Sequence, residues 1–140
     1  MGDWHGAFTH PGRQRTWVFE RNNPDHELIK QKMIKHMDNL LRLTRDNNIK
    51  LTIAVYPWPF QVWYEDLNSV HVKLWEEWSR RNNVHFINYF PDFVSEGLTK
   101  KERFEVMKKY YIPHDVHFNK QGNKLVAKKF LEKYFPDRHF

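Results

Sequence analysis

A chain of 140 residues, 40% apolar and 29% charged, is long enough for one domain with a real core and too apolar to be a disordered one. It has no cysteine, which excludes disulfides and thiolate metal sites, and its longest apolar run, around LTIAVY, is far too short to span a bilayer. The net charge of +6 fits a solvated lysine-rich surface; the sharper reading is an anionic partner such as an acidic polysaccharide, a membrane surface or nucleic acid.

Residues 1–24 read as an irregular N-terminal segment, broken by Gly2, Gly6, Pro11 and Gly12, with TWVFE (16–20) as a short strand candidate. Its first fifteen residues lack the apolar core of a signal peptide, so no export address is expected in the chain. Residues 25–140 are expected to form the folded unit. Its first helix follows Asn23 as cap and Pro24 at the first helical position, with Asp25 and Glu27 near the positive helix end. Ile29, Met33, Met37, Leu40, Leu41 and Thr44 make its apolar face, and Asn47 or Asn48 should end it.

IKLTIAVYP then reads as a strand covered on both faces and closed by Pro57. DLNSVHVKLWEEWSRRNN is a second helix with Val70, Leu74, Trp75 and Trp78 inward, and VHFINYFP a second strand closed by Pro91. Helix, Asn-Asn, strand, proline thus occurs twice, and strand–helix–strand predicts a right-handed crossover with parallel pairing. Thr99 and Glu102 fit a capping box before a helix that packs Phe104, Val106 and Met107. A loop over 112–118 leads to a last helix from Asn119 to about Phe135, its inner face Leu125, Val126, Phe130 and Tyr134.

The fold class expected is α/β, with a parallel sheet between helical layers, in the order helix-strand-helix-strand-helix-helix. Two parallel strands alone leave unpaired edges. The chain therefore reads as the C-terminal half of a domain, its sheet completed by a missing N-terminal half or by self-association.

Sites in open α/β sheets lie beyond the carboxyl ends of the strands. YPWPFQVW and NYFPDF, read as the loops after the two strands, and IPHDVHFN should share that rim. There His117 is a candidate general base and Asp115 the acid that would hold its tautomer. The alternatives are an ordinary loop, in which Asp115 binds backbone and His117 packs, and a metal site on His114, Asp115 and His117. Trp58 and Trp63 can stack on a sugar ring or an acyl chain, or equally cap the core. His114 and Asn119 complete the candidate substrate-binding set. No phosphate loop or nucleic-acid motif occurs, and no metal or other cofactor is expected.

YYIPHDVHFNKQGNKLVAKKFLEKY resembles the last block of the SGNH (GDSL-type) hydrolase superfamily, and IKLTIAVYPWPFQVW and NVHFINYFPDF resemble the two strands before it. The resemblance spans about residues 25–135. It implies a three-layer SGNH/flavodoxin-like architecture with ester hydrolysis or acyl transfer, O-acetylated carbohydrate being the substrate class it suggests, His117 acting as base and Asp115 as its partner. It also suggests an extracytoplasmic setting. Many members space the pair as Asp-x-x-His, whereas this chain has Asp-x-His, a spacing used by some polysaccharide-modifying relatives, with histidine at position 114. The Gly-Asp-Ser turn is missing: Gly2-Asp3 is followed by Trp4, and the serines are Ser69, Ser79 and Ser95. The chain alone is therefore expected to be nearly inert. The competing reading is a non-catalytic module that binds an anionic glycan or other polyanion.

Overall fold

The computed structural model describes residues 26–64, 67 and 69–137. The segment 1–24, with its strand candidate at 16–20, lies outside them. The described residues form a mixed α/β structure of six helices and a parallel two-stranded sheet. The elements in chain order are α1 (His26–Asp46), β1 (Thr52–Val55), α2 (Pro59–Tyr64), α3 (Val70–Asn82), β2 (His85–Asn88), α4 (Phe90–Phe93), α5 (Lys100–Tyr110) and α6 (Lys120–Tyr134).

Both Asn-Asn pairs stop a helix in the same way. Asn48 and Asn83 take left-handed conformations, φ 58° and 52°, which asparagine tolerates better than most side chains. The N–H of Ile49 then reaches the carbonyl of Thr44, and that of Val84 reaches Ser79, satisfying carbonyls the helix leaves over. Each strand follows at once, and the register pairs Thr52 with His85 through to Val55 with Asn88.

The prolines do more than close the strands. Pro59 begins α2 and Pro91 sits in the first turn of α4, positions where a missing N–H costs nothing. Local side chains reinforce both turns: Gln61 Oε1 accepts the Trp58 N–H at 3.0 Å, and Asn88 Oδ1 accepts that of Phe90 at 2.9 Å. YPWPFQVW and NYFPDF are thus largely short helices where loops were expected, and the strands are shorter than the apolar runs suggest. The expected order gains two helices.

Alternation along the strands feeds two cores. Ile53 joins Leu41 of α1 and Trp78 of α3, with Val55 and Phe86 packed alongside. Ile87 points into the other cluster, with Val62, Trp63, Phe93, Met107 and Tyr111. Ala54, expected to be covered, is exposed, as is Ile49. In α1 the inward residues are Ile34, Met37 and Leu41, so Leu40 is exposed rather than buried. Phe130 is likewise exposed and stacks on Tyr134.

The capping box of α5 is present in both directions, the Thr99 side chain with the Glu102 N–H and the Glu102 carboxylate with the Thr99 N–H. Lys100 and Arg103, on the same helix, donate to the carbonyls of Trp63 and Val62, so α5 caps the end of α2. Lys100, although exposed, also lies 4.7 Å from the Trp63 ring centre, so its ammonium is held over the end of α2. No described helix is long and apolar enough to cross a membrane.

Candidate functional site

The loop between α5 and α6 is a closed frame. Tyr111 and Phe118 form an antiparallel bridge, the Ile112 N–H donates to the His117 carbonyl at 3.0 Å, and the Asn119 N–H to that of Tyr110 at 2.9 Å. Inside the frame Asp115 N–H donates to Ile112 carbonyl at 3.1 Å, closing a turn with Pro113 and His114 at its corners. His114 carries φ 63° there, a position more usual for glycine or asparagine.

Apolar rings anchor the frame to the carboxyl ends of the strands. Phe118 stacks on Phe93 of α4 with centroids 5.1 Å apart, and lies 5.2 Å from Tyr56 just after β1. Tyr111 is buried and its hydroxyl donates to the Pro57 carbonyl at 2.6 Å. Burial pushes that phenol well up, with Tyr56 adding to it, so it remains a neutral donor. Sequence reasoning passed over Tyr111 and Phe118. The signal was the pair of aromatics bracketing IPHDVH.

On this frame His117 Nδ1 lies 2.7 Å from Asp115 Oδ1, which also accepts the Val116 N–H at 2.6 Å. The His117 hydrogen bond, then the Val116 N–H, hold the Asp115 carboxyl below its ordinary range. An ionised carboxylate only accepts, so in the neutral imidazole the proton sits on Nδ1 and Nε2 keeps its lone pair. The His117 side chain is 76% exposed and that of Asp115 35%. The imidazole is thus held in one orientation by a carboxylate and is open to solvent.

A test follows from the sign of the shift. The folded pKa is depressed, so the contribution of the pair is complete above the ordinary value of 3.8 and is lost as pH falls through the folded one. NMR of the Asp115 carboxyl carbon is expected to give a midpoint below 3.8, rising in His117→Ala. A midpoint unmoved by that substitution would mean that the hydrogen bond does not hold the carboxylate.

The other candidates are placed differently. Asn119 caps α6, its carboxamide oxygen accepting from Gln121 and Gly122 and its nitrogen donating to Lys109 and Tyr111 carbonyls. Trp63 is buried in the core, and Trp58 is half-buried where its peptide joins the Gln61 turn. His114 is exposed at the corner of the turn. Ser69 is buried and bonded to Gln61, Ser79 is buried, and Ser95 is exposed beyond α4. Among the described residues no cluster of His, Asp and Glu could hold a metal ion. A groove of about 550 Å³ opens at the opposite end of the strands, between Leu41, Arg45, Lys50, His85 and Tyr134. It lies at the amino ends of β1 and β2, away from the pair. Comparison with family models, curated proteins and solved structures finds no match for this chain.

Proposed function

We propose that this chain supplies the base and its orienting acid to an SGNH-type ester hydrolase or acyl transferase. O-acetylated carbohydrate is the substrate class, and the serine comes from a part of a three-layer α/β domain outside this chain. In that reaction His117 Nε2 takes the proton of the serine hydroxyl as it attacks the acyl carbon, and returns it to the leaving alcohol. Asp115 keeps the ring in the required tautomer and stabilises the imidazolium. The observation that carries the reading is the 2.7 Å bond from Asp115 to Nδ1 of an exposed imidazole. The bond also steadies the loop, but it leaves Nε2 of an open ring with its lone pair, which is what general-base chemistry needs.

The chain alone is expected to hydrolyse p-nitrophenyl acetate no faster than its His117→Ala variant, since a triad without its nucleophile retains little activity. The coding sequence upstream of Met1 is the place to look for a Gly-Asp-Ser turn. A polypeptide extended to include such a turn is expected to lose on the order of 10⁶ in turnover on His117→Ala. Turnover that survives the substitution would remove His117 from the reaction. The competing reading, a polyanion-binding module, rests on the net charge of +6 and expects salt-sensitive retention on heparin with no esterase activity in the extended chain.

A further inference from the structure

Helix α1 carries a second stripe besides the one that packs on Ile53 and Trp78. Ile29, Met33, His36, Leu40 and Leu43 of α1, continued by Asn47 in the turn that follows it, recur at alternating intervals of four and three, the spacing of a coiled-coil seam. None carries a formal charge when His36 is neutral. Leu40 is 40% exposed and Leu43 59%. Trp78 Nε1 donates to Asp38 at 2.8 Å, which places α3 beside that position. At about 100° per residue Leu40 points roughly 160° from Asp38, so the stripe faces away from α3.

We propose that this stripe is the interface of a homodimer in which α1 packs antiparallel against α1 of a second copy. The register follows from the seam. Met33 meets the partner's Leu43, His36 meets the partner's Leu40, and Ile29 meets the partner's Asn47. The residues along one border of the seam then complement each other: Lys32 faces the partner's Asp46, and Asn39 faces its own counterpart. Asp46 lies 4.0 Å from Arg42 on an exposed surface, a loose pair that leaves it available to a second cation. A parallel pairing sets Lys32 against no acid along that border. The complementarity is internal to one helix, and this selects a second copy over an unrelated partner.

Sedimentation equilibrium of the full chain from about 5 to about 200 µM tests it. The mass is expected to rise from 17.3 kDa towards twice that value. Leu40→Glu with Leu43→Glu, at positions already exposed, should keep its circular dichroism and weaken association at least about 100-fold. Asp46→Lys should weaken it about fivefold, with Lys32→Glu in the same chain restoring it. The chain has no cysteine, so Asn39→Cys should cross-link to its own counterpart on mild oxidation, whereas a cysteine at 32 alone should not. A monomer at every concentration overturns the proposal, including one whose stripe is covered by another segment of the chain. So does a dimer indifferent to the two leucines, or one in which position 39 fails to cross-link.

Discussion

Gly122→Ala is expected to destabilise the chain by about 3 kcal/mol, at the upper end of what overpacking costs. A Cβ at position 122 would stand 2.2 Å from the Tyr110 carbonyl oxygen and 2.8 and 2.9 Å from two carbons of Phe118. The first of these is main chain and cannot rotate away. It is also the acceptor of the Asn119 N–H, so relief requires the end of α5 and the start of α6 to separate. That movement pulls on Phe118 and Tyr111, the two rings that hold the His117 frame. With an m-value of about 2 kcal/mol per molar, the urea midpoint should fall by about 1.5 M. The Ile112 amide, which donates to the His117 carbonyl, should exchange faster. An unchanged midpoint would mean that the two helices approach less closely than described.

Trp78→Ala is expected to cost more, about 4 kcal/mol, from lost transfer energy and the cavity left behind. Trp78 is 1% exposed, packs with Leu41 and Ile53, meets Trp75 edge-on at 6.1 Å and donates its indole proton to Asp38. Among the described residues it ties α1 to α3 and to β1, together with Leu41 and the Arg45 bond to the Asn82 carbonyl. Natural domains are stable by about 5–15 kcal/mol, so this loss is a large share. Far-UV circular dichroism at mild denaturant should show α1 lost before the rest. Trp78→Phe keeps most of the apolar contact, and water can replace the indole at the exposed Asp38, so about 1–2 kcal/mol is expected. Equal losses in the two variants would contradict the cavity argument.

Much of the local structure was legible because it depends on residues within one turn of each other. The asparagine stops at 48 and 83 and the Thr99–Glu102 capping box are of this kind. So is the pairing of Asp115 with His117, two residues apart in a short loop. Asn119, by contrast, read as a substrate-binding candidate at the start of the last helix, is its cap. The short helices Pro59–Tyr64 and Phe90–Phe93 were missed because proline was read only as the end of a strand. Proline is equally suited to begin a helix, and the side chains of Gln61 and Asn88 decide between the two.

By itself, the sequence determined the four longer helices and both strands, that the two strands run parallel, and that an acid and an imidazole share one loop. Those outcomes follow from periodicity, caps and crossover handedness, which act over short distances along the chain. Only the tertiary structure decided which side of each element is covered. Leu40 and Leu41 are equally apolar, yet one is exposed and the other packs on Ile53, because the direction of α1 relative to the sheet is set by Trp78 and Asp38, some forty residues apart in sequence. Trp63 was a candidate for a sugar platform until Lys100 and Phe104, from a helix far along the chain, closed over it. The loop that places Asp115 beside His117 is local, but the outward turn of the imidazole is not. It depends on Phe118 being drawn inward by Phe93 and Tyr56, contacts that exist only once both strands have delivered their ends to the same rim.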